Sequence, residues 1–89
     1  MKAIVSVFAR DRIGIIADVC VLISSMQVNI LDLNQTIIDG FFTMVMLVDT
    51  ATSELPFDEI RSRLESQGEQ QGLDIRIQRE DIFDAMHKI

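Results

Sequence analysis

The dipeptide Asp39-Gly40 constrains this chain more than any other feature in it. Both central residues of a type I′ hairpin turn need positive φ, and Asp-Gly is among the few pairs that supply it at low cost. Apolar-rich runs lie on either side, Ile30 to Ile38 and Phe41 to Asp49. A two-residue turn fixes the register between them, so that Ile37 faces Phe42, Gln35 faces Met44 and Leu33 faces Met46. One face of the hairpin then collects Leu31, Leu33, Ile37, Phe42, Met44, Met46 and Val48. The other mixes Ile38, Phe41, Val45 and Leu47 with Asp32, Asn34, Thr36 and Thr43. The purer apolar face calls for helices, and the mixed face for partial cover.

An isolated hairpin is marginal in water, so the flanking segments must complete the sheet and its cover. Lys2 to Arg10 carries Ala3, Val5 and Val7 on one face, with Ile4 and Phe8 on the other. A strand apolar on both faces is expected at the centre of a sheet and covered on both sides. From about Gly14 to Met26 the spacing of Ile16, Val19, Cys20, Ile23 and Met26 is helical, with Asp18, Val21 and Ser25 outward. Pro56 suits the first turn of a second helix, whose stripe is Phe57, Ile60 and Leu64 and whose end is marked by Gly72. Gly68 is expected to weaken its last turn. Leu73, Ile75 and Ile77 alternate with Asp74, Arg76 and Gln78, the pattern of an amphipathic edge strand. From Glu80, the spacing of Ile82, Phe83, Met86 and Ile89 predicts a short amphipathic helical tail.

The resulting order is βαββαβ with a helical tail. Two right-handed crossovers around a hairpin give an α+β, ferredoxin-like sandwich. Its antiparallel four-stranded sheet has the order 2-3-1-4, with two helices on one face. Residues 1–79 form the domain, and residues 80–89 are its C-terminal helical extension. The tail and a second subunit are the candidates to cover the other sheet face.

Composition excludes several functions. At 89 residues there is room for one core, and 48% hydrophobic residues is rich for so small a chain. Apolar surface is therefore expected to be buried against a partner, most simply in a homodimer. Acidic residues outnumber basic ones 14 to 8, for a net charge of −6. Nucleic acid and anionic membrane, both bound through Lys and Arg, are poor partners. The lone Cys20 sits on an apolar helical stripe and reads as a buried thiol in a reducing cytoplasm. No segment is apolar for long enough to span a bilayer, and no signal peptide is legible.

The first strand–helix corner, Asp11-Arg12-Ile13-Gly14-Ile15-Ile16, is the candidate site. Glycine there permits a sharp turn and close approach of a ligand to the backbone. The first N–H groups of the helix lack partners within it, and they lie at the positive end of its dipole. The corner of Gly14, Ile15 and Ile16 thus makes a modest anion site, for a carboxylate or a phosphate. It is not a phosphate loop, since no second glycine and no Gly-Lys-Ser/Thr follow. Asn29 can both donate and accept, and Asp11 and Asp32 are carboxylate acceptors. Each has a plainer reading: Asp11 as a helix cap, Gly14 as a packing glycine, Asn29 as a turn residue, and Asp32 as a solvated or interface carboxylate.

The Asp11-Arg12-Ile13-Gly14-Ile15-Ile16 corner, followed by Val28-Asn29-Ile30 after the helix, resembles the ACT domain, a small ligand-binding regulatory module. The resemblance runs to about Ile77. Asn29-Ile30-Leu31-Asp32, Gln35-Thr36 and Phe42-Thr43-Met44 are similar to stretches of stand-alone single-ACT proteins of bacteria and archaea. Those are related to the domains of the glycine cleavage system transcriptional repressor. The resemblance implies an amino acid bound near the first strand–helix loop, often at a dimer interface. The N–H groups of Gly14, Ile15 and Ile16 would then take its carboxylate, Asn29 would suit the zwitterion, and Asp11 or Asp32 would accept its ammonium. The chain departs from the commoner Arg-Pro-Gly loop by placing Ile13 where proline would stand.

Catalysis needs a nucleophile or an acid–base pair held by an orienting group, and no such spacing is present. His87 lies in the tail, far along the chain from Cys20, and neither is placed as a catalytic or metal-binding residue. The expectation is therefore no enzyme, no cofactor and no metal. Two readings remain: a sensor that binds an amino acid and regulates a target, and a ligand-free interaction module that regulates an enzyme or transcription factor.

Overall fold

The turn at Asp39-Gly40 forms as its residues dictate, with φ of 51° and 79° at the two positions. The structure is a computed structural model and describes residues 1–80. The turn joins β2, Asn29–Ile38, to β3, Phe41–Asp49. Pairing Ile37 with Phe42, Gln35 with Met44 and Leu33 with Met46 follows the expected register. The other elements are β1, Lys2–Arg10, α1, Ile15–Ser25, α2, Phe57–Gln70, and β4, Asp74–Arg79. The sheet is antiparallel in the order β2-β3-β1-β4.

One face of this sheet builds the core. Val5 and Val7 of β1, Met44, Met46 and Val48 of β3, and Ile75 and Ile77 of β4 are buried. Val19 and Ile23 of α1 and Ile60 and Leu64 of α2 are buried with them. No polar or charged side chain is buried among the described residues. At about 1.5–3 kcal/mol for each large aliphatic side chain taken from water, this one layer is the main source of stability.

The structure corrects the pattern-based reading in three places along the elements. A β-bulge separates Ile30, opposite Val48, from Asp32, opposite Leu47, so Leu31 is the extra residue. Leu31 is exposed, and Ile30 takes the place against the core that alternation assigned to Leu31. In α1 the buried stripe is Ile15, Val19, Leu22 and Ile23, whereas Ile16 is 37% exposed and Cys20 is half-buried. That helix is apolar nearly all round, so periodicity alone does not choose its inner face. Pro56 is the N-cap residue of α2, one position before its first turn, with extended backbone.

Gly68 is not merely a weak point. A Cβ there would lie 2.8 Å from Cδ1 and Cγ1 of Ile75 and 3.0 Å from the Leu73 carbonyl oxygen. Its missing side chain lets α2 pack closely on β4.

On the opposite sheet face, Ile4, Phe41 and Leu47 are half-buried and Phe8 and Val45 exposed. The Phe8 and Phe41 rings stack at 5.5 Å and 11°. The Arg10 guanidinium lies 5.3 Å from the centre of the Phe41 ring. No described residue covers this face, so the expected two-sided cover of β1 is supplied on one side only among residues 1–80. The expected tail helix, with Ile82, Phe83, Met86, Ile89 and His87, lies outside the described residues.

Candidate functional site

The hairpin turn positions the corner that precedes α1. Gly40 accepts a hydrogen bond from the Asp11 N–H at 2.9 Å, tying the end of β1 to the turn. The Arg12 guanidinium then folds back, donating to the Ile13 carbonyl at 3.2 Å and to Asp18 Oδ2 at 3.1 Å. Gly14 sits at φ 89°, ψ 5°, and its carbonyl accepts the first helical hydrogen bond, from Asp18 N–H at 2.9 Å. A Cβ on Gly14 would meet only Arg12 Nη1, at 4.0 Å. Glycine is required there for its positive φ rather than for close packing, which decides between the readings of its structural role.

No side chain caps α1. Asp11 is therefore not the helix cap, and the first-turn residues Ile15, Ile16 and Ala17 line a cavity of about 180 Å³. Its lining is Asp11, Arg12, Gly14, Ile15, Ile16 and Ala17, with Gln35, Ile37 and Phe42 from the hairpin. Such a volume is below the roughly 300–1,000 Å³ of sites for drug-sized molecules. It suits a small molecule, with amides for an anion, Asp11 and Gln35 as polar partners, and Ile37 and Phe42 as an apolar wall.

Gln35 and Ile37 were not among the candidate site residues. The signal was in the register: both lie on the helix-facing side of β2, near the turn that holds the corner. Gln35 is also the polar interruption in an otherwise apolar face.

Asn29 and Asp32 are not brought to this corner. Asn29 pairs with Asp49, which also pairs with Lys2, at the start of β1, whereas the corner follows Arg10 at its end. The length of β3 separates the two ends, roughly 27 Å at 3.4 Å per residue. Strand alternation also puts Asn29 and Asp32 on the sheet face away from the helices. Asp32 Oδ1 accepts the Leu33 N–H at 2.8 Å beside the bulge, a local role in the backbone.

Among the described residues, no three His, Cys, Asp or Glu side chains cluster as a metal would require. No described helix is long and apolar enough to cross a membrane. Among the described residues, the one carboxyl with a clear shift is Asp49, far from the corner. It accepts the Ala51 N–H at 2.9 Å and pairs with the N-terminal ammonium at 3.3 Å. The Ala51 hydrogen bond first, and the ammonium second, hold it below the usual aspartate range.

The fold defines a ferredoxin-like βαββαβ sandwich with an open corner at its first strand–helix junction. The sequence model of the ACT domain matches residues 2–78. A UPF0237 protein of Bifidobacterium longum is 49% identical over 88 residues, covering 99% of this chain and 98% of that one. An ACT domain protein from Streptococcus pneumoniae superposes with a TM-score of 0.84 at 37% identity, over 98% of each chain. This chain belongs to the ACT domain family. The fold also recurs in a structure titled as a putative glycine cleavage system transcriptional repressor. There the TM-score is 0.73 at 24% identity, over 86% of this chain and 44% of that one.

Proposed function

We propose that the domain is a non-enzymatic regulatory module of the cytoplasm that binds a small amino acid at the α1 corner. Occupancy alters its association with a target enzyme or regulator. Residues 80–89 belong to the same domain as its extension. The observation that carries this reading is the uncapped first turn of α1, opening onto a cavity walled by Gln35, Ile37 and Phe42. Backbone amides of Gly14, Ile15 and Ile16 take the carboxylate, and Asp11 or Gln35 takes the ammonium. A homodimer is part of the proposal, because Phe8, Ile37, Ile38 and Val45 remain exposed. Those same residues favour the second reading, a ligand-free interaction module.

The test is a thermal-shift screen of the full chain against the proteinogenic amino acids, repeated with Ala17→Glu. A ligand at a hundred times its Kd adds about 2.7 kcal/mol, a shift on the order of 10 °C in a domain of this size. Glutamate in the first turn suits the helix dipole and repels a bound carboxylate. A selective shift that Ala17→Glu abolishes, with unliganded stability retained, supports the sensor. No shift at millimolar concentrations transfers the case to the ligand-free module, and a shift unchanged by Ala17→Glu removes the site from this corner.

A further inference from the structure

We propose that the groove between α2 and the outer edge of β4 is a strand-addition site for an extended basic segment of another protein. This inference is independent of any ligand at the α1 corner. β4 pairs with β1 alone, so among the described residues its other edge presents unpaired backbone groups. An added strand would satisfy them. Close packing at Gly68 seats α2 beside this strand, leaving an open groove of about 710 Å³ lined by Arg61, Glu65 and Glu69 of α2 and by β4.

The charges in the groove are not equally available. Arg61 is held by Asp58 at 2.6 Å and lies against the Phe57 ring, while Arg76 is paired with Asp74 at 3.3 Å. Glu65 and Glu69 have no ion-pair or hydrogen-bond partner among the described residues. They stand one helical turn apart, about 5–6 Å. Alternate residues of a strand lie about 6.8 Å apart on one face, so a Lys/Arg-x-Lys/Arg segment would place a cation against each carboxylate. This chain has that spacing only at Arg10 and Arg12 and at Arg61 and Arg63, in the central strand with its loop and in α2. Neither is free to add to a sheet edge, so the occupant is a different protein.

The test uses the full chain and a capped nine-residue peptide alternating lysine and threonine, followed by calorimetry and amide exchange. Expected results are saturable binding, slowed exchange at alternate β4 amides, and loss of binding when the peptide backbone is N-methylated at alternate positions. Glu65→Lys with Glu69→Lys should weaken binding about tenfold or more, while Glu54→Lys leaves it unchanged. Absence of binding at millimolar peptide overturns the proposal. So does binding indifferent to N-methylation, which would be charge attraction without strand pairing. Slow exchange of the β4 edge in the free protein overturns it too. If that protection persists on dilution, the chain itself fills the edge; if it fades, a second copy does.

Discussion

Replacing Gly68 by alanine tests how α2 is held on the sheet. Glycine inside a helix ordinarily costs about 0.8–1.0 kcal/mol relative to alanine, so a rule based on propensity predicts stabilisation. The structure predicts the reverse. The new methyl would stand 2.8 Å from two carbons of Ile75, against the roughly 3.5–4.0 Å of an ordinary carbon contact. Ile75 is buried and β-branched, with little freedom to turn aside. The third neighbour, the Leu73 carbonyl oxygen at 3.0 Å, is backbone in the connection to β4. Overpacking of this kind costs about 1–3 kcal/mol, which outweighs the propensity gain and leaves a net loss near 1 kcal/mol. In a domain of this length that lowers Tm by about 4–8 °C. Urea and thermal unfolding of Gly68→Ala, Ile75→Val and the double variant measure it. Ile75→Val removes Cδ1, so the double variant should be less destabilised than the sum by at least about 0.5 kcal/mol. A Gly68→Ala protein that is more stable than the parent, with no coupling to position 75, would refute the close-approach argument.

Three further outcomes follow from particular residues. Gly14→Ala should cost about 1–2 kcal/mol in unfolding experiments, because φ of 89° is strained for an L side chain although space is available. For that reason Gly14→Val would disturb the fold as well as any ligand, and Ala17→Glu is the cleaner probe. Asp49 should titrate below a free aspartate by NMR. Its folded pKa is depressed, so its contribution is present above the unfolded pKa and is lost as pH falls through the folded one; Asp49→Asn should flatten that acid limb. Leu31→Ala should cost less than about 1 kcal/mol and Leu33→Ala distinctly more, since the bulge leaves Leu31 exposed while Leu33 packs against the core. Equal losses would contradict the placement of the bulge.

Most of the fold was legible because its strongest signals are local and stereochemical. Asp39-Gly40 admits few backbone conformations, and a two-residue turn propagates its register along both strands. The alternation of Leu73, Ile75 and Ile77 placed β4 at an edge for a similar reason. What escaped depends on contacts distant in sequence. The bulge at Leu31 leaves no mark in a run where Ile30, Leu31 and Leu33 are all apolar. Gly68 read as a defect of the helix because the reason for it, Ile75, lies on another element. At the candidate site, Asp11, Gly14, Ile15 and Ile16 were found together because they are contiguous. Gln35 and Ile37 were missed because they reach the corner through the sheet.

The separation of Gly14 from Asn29 bears directly on assembly. No small amino acid bridges roughly 27 Å, nor does it reach from the helix-facing side of a sheet to the opposite one. Within one chain, then, a ligand at the proposed α1 corner would be held by Asp11, Gln35 and backbone amides, and Asn29 would have no part in it. Asn29 can act on that ligand only if it comes from a second copy whose β2 start lies against the first copy's corner. These two arrangements predict different kinetics of assembly and binding. With a self-contained corner, affinity is independent of protein concentration, and Asn29→Ala leaves it unchanged. With a shared site, affinity weakens as the protein is diluted through its dimer dissociation constant, and Asn29→Ala reduces it. Mixing Asn29→Ala with Ala17→Glu protein separates them further. With a shared site each variant alone is defective, and binding returns only on mixing, at one intact pocket per mixed dimer. With a self-contained corner Asn29→Ala binds before mixing, and nothing is regained. Recovery of binding in that mixture, at about half of the mixed dimers' corners, would establish the two-chain site. A mixture in which every Asn29→Ala corner binds as the parent does would establish the one-chain site.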